Sequence, residues 1–338
     1  MRRGMMHRNH NTFAHIKRNF LLYFVIIFLC VPAALSQIKN QKIRLPVLDG
    51  TWWQIAGNPD LGSYTSEQQQ PVDFGIWQAA DGTWQLWSCI RKTNCGGNTR
   101  LFYRWEGKSL TDRNWTPMGI AMMADTSLGE TSGGLQAPFV IKKDKIYYMV
   151  YGDWGNICLA QSTDGKYFKR VLNENGNPAL FSGPYNNTRD PMVIRINNLY
   201  YLYYMGHKQD KKPSSAIFCR TSPDLYCWSE PMMVSAGGVA ATMSDWWGGD
   251  AECPFVLVMD GRYYLFRNQR YGETNLNTQY CSTNPMNFGV NDDRFLIGTL
   301  AVAAPEIILY NDQYYIAALL PSLKGIRMAK LTWVNSNR

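Results

Sequence analysis

Arg189-Asp190-Pro191-Met192-Val193, followed after a turn by Leu199-Tyr200-Tyr201-Leu202-Tyr203-Tyr204, is the stretch from which the fold can be read. A proline leads to an Asn/Asp/Gly turn and then to paired aromatics. The same phrase joins Pro138 to Tyr147-Tyr148, Pro254 to Tyr263-Tyr264 and Pro305 to Tyr314-Tyr315, with the pair always nine and ten residues after the proline. Phe74 takes the proline's place in a first copy, where Thr83-Trp84 stands for the pair. Successive copies lie 64, 53, 63 and 51 residues apart.

Each copy reads as consecutive short strands. Ala137–Ile141, Ile146–Tyr151 and Ile157–Ser162 are rich in Val, Ile, Tyr and Phe and are separated by turn residues. Ser162-Thr163-Asp164-Gly165 and Ser222-Pro223-Asp224 mark equivalent turns in the second and third copies. Repeats of this length with about four strands each predict propeller blades. The fifth copy is one strand short, and Ile43–Ala56 precedes the first copy without a blade of its own. That segment is expected to supply the missing outer strand and close the ring, which removes exposed strand edges. The expected architecture is an all-β, five-bladed β-propeller over residues 37–338, with blades starting near 73, 137, 190, 252 and 304.

Residues 1–36 read separately. Arg2, Arg3, Arg8, Lys17 and Arg18 precede an uncharged apolar run, Phe20–Leu35, which closes on Ala34-Leu35-Ser36. This is the pattern of a cleaved signal peptide. The run of 16 residues falls short of the roughly 20 that span a bilayer. The expectation is a secreted or periplasmic protein with no stable membrane insertion after cleavage. Of the chain's 34 basic residues five lie in this leader, so 29 face 26 acids in the remainder and the net charge falls from +8 to +3. With no Lys/Arg run left, nucleic acid is not an expected partner. Nothing here fixes an oligomeric state.

Residue counts narrow the chemistry. His7, His10 and His15 belong to the leader, which leaves His207 alone in the mature chain and excludes a multi-histidine metal site. Seven cysteines remain. Cys89 with Cys95 and Cys219 with Cys227 each flank a short loop and could pair in an exported protein, and the odd count points to Cys253 as free. No C-x-x-C occurs, so a zinc site is not expected.

In a propeller, residues at the start of each innermost strand meet at one mouth of the central funnel. Asp73, Asp190 and Glu252 all stand at such starts. Three carboxylates sharing a funnel cannot all ionise freely, so at least one should hold its proton at higher pH than usual. An acid to protonate a leaving oxygen, beside a base or nucleophile, is what glycosidic cleavage needs. Trp77, Trp154, Trp246 and Trp247 offer faces on which a sugar could stack. Trp246-Trp247-Gly248-Gly249, in a long loop before Glu252, is the favoured subsite wall. His207 is a further substrate-contact candidate, and Glu306, after Pro305, a further funnel candidate. For Glu252 an ion pair with Arg267 or Arg270 is the structural alternative, and for Asp190 one with Arg189.

The acidic trio and the repeat resemble the five-bladed glycoside hydrolases of families 43 and 32. The family-43 resemblance implies Asp73 as general base, Asp190 as the residue that tunes the acid, and Glu252 as general acid. Arg189-Asp190-Pro191 and Glu252-Cys253-Pro254 resemble the stabiliser and acid motifs of family 32, in whose chemistry Asp73 would be a nucleophile. Pro71-Val72-Asp73-Phe74-Gly75 departs from the first-blade motif of both. The resulting expectation is an inverting hydrolase of an arabinofuranoside or xyloside linkage in plant or algal oligo- or polysaccharides, with Arg189 on the substrate. A retaining fructosidase-like enzyme and a non-catalytic carbohydrate-binding propeller are the alternatives. No cofactor is required, and a structural calcium in the central channel stays open.

Overall fold

A computed structural model of the chain describes residues 42–208, 211, 213–245 and 249–336. The first strand, β1 (Arg44–Gly57), joins the last blade. Blade 1 runs outward as β2 (Gln70–Gln78), β3 (Trp84–Arg91), β4 (Leu101–Gly107) and β5 (Thr116–Met122). Blade 2 is β6 (Gln136–Lys143), β7 (Ile146–Gly152), β8 (Asn156–Ser162) and β10 (Ala179–Ser182), with the short β9 (Lys169–Arg170) also on β8. Blade 3 is β11 (Asn187–Ile196), β12 (Leu199–Lys208), β13 (Ser214–Ser222) and β14 (Met232–Ala236). Blade 4 is β15 (Glu252–Met259), β16 (Arg262–Arg270), β17 (Leu276–Ser282) and β18 (Leu296–Leu300). Blade 5 is β19 (Glu306–Tyr310), β20 (Gln313–Leu319) and β21 (Gly325–Asn335), closed on its outside by β1.

The molecule is therefore the expected five-bladed β-propeller, and β1 supplies the outer strand, running antiparallel to β21 from Arg44↔Asn335 to Gly57↔Gly325. The inner strands β2, β6, β11, β15 and β19 touch one another in turn around the axis. No α-helix occurs among the described residues, and none there is long and apolar enough to cross a membrane. The leader, residues 1–36, lies outside the described residues.

The recurring aromatics bind blade to blade. Phe102 meets Tyr151 across blades 1 and 2 at 6.0 Å between ring centroids, and Phe181 meets Tyr204 across blades 2 and 3 at 5.4 Å. Tyr203 meets Phe288 across blades 3 and 4, Tyr264 meets Trp333 across blades 4 and 5, and Tyr310 meets Trp84 across blades 5 and 1. Such pairs contribute about 0.5–1.5 kcal/mol each beyond the area they bury. Every blade thus offers an aromatic ring to its neighbour, from the second strand in blades 2, 3 and 4 and from the inner strand in blade 5.

The proline end of the phrase has a different cause. Asp73, Ala137, Asp190, Cys253 and Ala304, each just ahead of Phe74 or a proline, have positive φ values of 35°, 45°, 56°, 44° and 46°. The register of the inner hairpins slips at this point in four blades, between Val72 and Phe74, Gln136 and Phe139, Arg189 and Met192, and Glu252 and Phe255. Each is a β-bulge, which kinks the strand and re-aims a side chain. None of the five residues is glycine, although a left-handed backbone is unfavourable for a side chain. Strain of this kind collects at functional sites.

Among the described residues the cysteines do not pair, and all seven thiols are free. Cys89, deep in the core on β3, donates to the Leu135 carbonyl oxygen, while Cys95 turns to the backbone of its own loop. Cys219 is likewise buried and Cys227 exposed, so neither short loop brings its two sulfurs together.

Candidate active site

The five positive-φ positions surround a narrow cavity of about 30 Å³ on the axis, lined by Asp73, Asp190, Cys253 and Glu306 together with the prolines. At one end opens a funnel of about 460 Å³, whose wall includes Asp73, Arg189, Glu252, His207 and Trp154. Asp73 lines both spaces.

The repeat places Cys253, not Glu252, in register with Asp73 and Asp190. Glu252 stands one residue earlier, where the third blade carries Arg189 and the second Gln136. This corrects the expectation that the three acids occupy equivalent positions, and it has a consequence. Arg189 and Glu252, matching residues of adjacent blades, reach each other: the Arg189 Nη2 group donates to Glu252 Oε1. The Arg189 Nε lies 3.8 Å from Asp190 Oδ2. Arg267 is not the partner of Glu252, because Asp250 holds it at 3.2 Å.

Asp190 Oδ2 accepts from the Cys253 N–H at 3.2 Å and lies 3.6 Å from the Cys253 thiol, while its buried Oδ1 has no partner among the described residues. Burial first, then the negative charge of Asp73, push this carboxyl up to about 7, against the pull of Arg189. Burial also raises Glu252, with Asp73 adding to the rise and Arg189 limiting it. The net direction is upward for both, because a buried carboxylate loses more in leaving water than one shared guanidinium returns. The Cys253 thiol is raised well above its ordinary value by burial and by Asp190 and Asp73. It therefore keeps its proton and donates to Asp73 Oδ1 at 3.2 Å, with Tyr271 Oη 3.0 Å away.

Asp73, Asp190 and Cys253 present donor atoms within 4.8 Å of one another. A thiol that holds its proton does not suit calcium, which takes about six to eight oxygen ligands. Glu306, deeper in the axial cavity, is raised by burial alone. The donor set around the bulges does not fit a structural calcium.

The sequence candidates divide cleanly. Asp73, Arg189, Glu252, Trp154 and His207 meet at the funnel, with Asp190 directly behind them. Glu306 lines the axial cavity and not the funnel. Trp246 and Trp247 lie outside the described residues. Trp77 offers no face to sugar: its indole N–H donates to the Gly165 carbonyl oxygen at 2.7 Å, and the ring packs on Trp87 and Phe168 in the core.

Sequence reasoning missed Arg91, Arg100, Gln136, Asn187, Asp245 and Tyr271 on the funnel wall, and Cys253 beneath it. A signal for several of them existed. In an antiparallel hairpin the first residues of the inner strand face the last of the second, as in Gln70↔Arg91 and Asn187↔His207. Counting along each hairpin from its bulge leads to the same mouth.

No family model matches the chain, and no curated protein sequence matches it. Solved structures do. A thermostable family-43 glycoside hydrolase superposes with a TM-score of 0.58 at 17% identity, over 80% of this chain and 90% of its own. An endo-arabinase from Bacteroides thetaiotaomicron gives 0.58 at 13% identity, over 83% and 98%. The GH43_1 enzyme from Xanthomonas citri, complexed with xylotriose, gives 0.58 at 14%, over 89% and 93%. The chain has the fold of these glycoside hydrolases. At such identities the likeness extends to the propeller and leaves the chemistry to be argued from the funnel.

Proposed function

We propose that the protein is a secreted or periplasmic glycoside hydrolase that cleaves an arabinofuranoside or xyloside linkage in plant or algal glycans with inversion. The observation that carries this reading is the convergence of Asp73 and Glu252 on one funnel, with Asp190 buried behind them and Arg189 shared between Glu252 and Asp190. A non-catalytic sugar-binding propeller has no need of two buried carboxyls raised above their ordinary range beside one shared guanidinium. Glu252, raised by burial, keeps a proton to give to the leaving oxygen. Asp73, fixed by the Cys253 thiol, takes the proton of an attacking water. Asp190 and Glu252 compete for one guanidinium, so the charge of Asp190 governs how firmly Arg189 holds Glu252 and hence how readily it yields its proton. Trp154 gives an apolar face for sugar C–H groups. The pentose assignment is supported by the arabinase and the xylotriose complex among the solved structures of this fold. Export is supported by the basic and apolar segments of residues 1–36.

The test is hydrolysis of aryl pentosides and of arabino- and xylo-oligosaccharides, with the product anomer read by NMR. Inversion is expected. Glu252→Gln should lose about 10²–10⁴-fold on oligosaccharides and recover in part on dinitrophenyl glycosides, whose leaving group needs no acid. Asp73→Asn should not recover on them. A retained anomer would make Asp73 the nucleophile, and full activity in Glu252→Gln would remove it from the reaction. N-terminal sequencing of the exported protein should begin at Gln37.

A further inference from the structure

The funnel carries three arginines, and among the described residues only one of them makes an ion pair. Arg189 is paired with Glu252. Arg91 and Arg100 have no carboxylate within ion-pair reach among the described residues. They are also neighbours. The β3–β4 register ends at Ile90↔Leu101, and Arg91 and Arg100 are the residues that follow and precede this last pair on the one hairpin. Opposite positions on one hairpin place like charges close together, which is destabilising in the absence of a counter-charge.

Both side chains are held in place. The Arg91 Nε donates to Gln70 Oε1 at 2.8 Å, and its guanidinium lies 5.9 Å from the Tyr271 ring centroid. The Arg100 guanidinium lies 5.2 Å from the Trp154 centroid. The backbone behind them is clamped to the following loop, where the Arg100 N–H donates to the Gly133 carbonyl oxygen at 3.0 Å and that of Asn98 to Ser132 at 2.9 Å. Lys92 and Thr99, the residues just beyond the two arginines, have positive φ of 59° and 63°. Left-handed backbone at two non-glycine residues, rigid packing and uncompensated like charge converge on a single stretch of funnel wall. Arg91 and Arg100 line the same funnel as Asp73 and Glu252, so the pair flanks the proposed reaction centre.

We propose that Arg91 and Arg100 form an oxyanion-binding subsite, and that the natural glycan bears a negative group, a uronate carboxylate or a sulfate ester, on a sugar unit bound in this funnel. This rests on the hydrolase reading above and narrows its substrate class. A guanidinium is a planar fork that matches the two oxygens of a carboxylate or sulfate, and charge-assisted bonds of this kind are the strong ones. An anion seated between Arg91 and Arg100 bonds to both and relieves their mutual repulsion.

The experiment compares kcat/KM on neutral xylo- and arabino-oligosaccharides, on glucuronate-substituted xylo-oligosaccharides and on sulfate-bearing oligosaccharides. Wild-type protein should favour an anionic class by about 10–100-fold, the range of one or two charged hydrogen bonds, and the preference should shrink with added salt. Arg91→Gln and Arg100→Gln should each lower kcat/KM on the anionic class about tenfold more than on the neutral class, removing most of the preference. Arg100→Lys, which keeps the charge and the fold, should fall between because the fork is lost. Response to the glucuronate arm alone identifies a carboxylate, and to the sulfate arm alone a sulfate ester. Equal or better turnover of the neutral class overturns the proposal, as does an equal loss on all classes in the variants. If nothing is cleaved, the hydrolase reading fails and the same oligosaccharides are titrated calorimetrically into Glu252→Gln. Tighter binding of an anionic class, lost in Arg100→Gln, then sustains the subsite, and equal binding overturns it.

Discussion

The guanidinium of Arg189 is bonded to the carboxylate of Glu252 although the two are 63 residues apart and belong to different blades. They meet because each occupies the residue just ahead of a β-bulge in its own inner strand. The contact crosses the boundary between blades 3 and 4 in a setting buried from solvent.

A buried pair of this kind is costly to break from one side. Arg189→Met should lower unfolding stability by about 3–5 kcal/mol, since it leaves the buried Glu252 without its guanidinium. Adding Glu252→Gln to that variant should restore most of the loss. Urea unfolding of the two single variants and the double variant measures the coupling, and additive losses would show that the pair is not a unit.

Asp190 should make the folded protein less stable as pH rises. Its carboxyl is pushed up to about 7 when folded, against about 3.9 in an unfolded chain. Between those values the native state holds a proton that the unfolded chain has released, so stability is greatest below about 4 and declines through about 7. Glu252 shifts in the same direction. Asp190→Asn cannot ionise and should flatten this decline, unfolding at pH 8 with about 1–3 kcal/mol more stability than wild type while turning over more slowly. Urea midpoints at pH 5 and pH 8 decide it; an unchanged pH dependence would place the titration elsewhere.

Thiol chemistry should separate the seven cysteines. Cys227 is exposed, while Cys89, Cys158 and Cys219 are buried with thiols raised by burial. Iodoacetamide at pH 8 should therefore modify Cys227 first and leave Cys253 intact in the folded protein, because the thiolate is the reactive form. Peptide mass spectrometry reads the order, and a Cys89–Cys95 disulfide in the same digest would contradict it. Cys253→Ser keeps a donor to Asp73 and should stay within about threefold of wild-type kcat, whereas Cys253→Ala should lose about tenfold.

Two tryptophans should fail in opposite ways. Trp77→Ala removes a core ring and should cost about 3–5 kcal/mol of stability. Trp154→Ala, on the funnel wall, should raise KM with a smaller effect on the thermal midpoint. A KM change from a mild Trp77→Phe variant would contradict the core assignment.

The propeller was legible because its cause is periodic. Five copies of one phrase need five copies of one packing solution, and the closing role of Ile43–Ala56 followed from a missing strand. The acids Asp73, Asp190 and Glu252 were legible because they sit beside the phrase. The extra residue between Glu252 and its proline was also visible, but not its consequence, since the bulge that turns Glu252 onto Arg189 leaves no mark in the chain. Arg91, Arg100 and Tyr271 were overlooked for another reason: they reach the mouth from the ends of second strands or the start of a third, away from the repeated phrase, and are found only by counting along each hairpin. Trp77 misled because an indole beside a strand start reads alike whether it faces sugar or a neighbouring blade.

The pairing of β1 with β21 has a kinetic meaning. Arg44 and Asn335 are partners about 290 residues apart, and bringing such distant segments together costs about 5 kcal/mol in loop entropy. Four blades complete themselves from consecutive strands, but the fifth waits for both ends of the propeller to meet. That contact is the slow, long-range event on which folding to a closed ring depends, and it leaves the two ends side by side along the edge of a single blade. A surface or a further domain tethered at either end would hold the molecule by that edge and leave the funnel free to face its glycan.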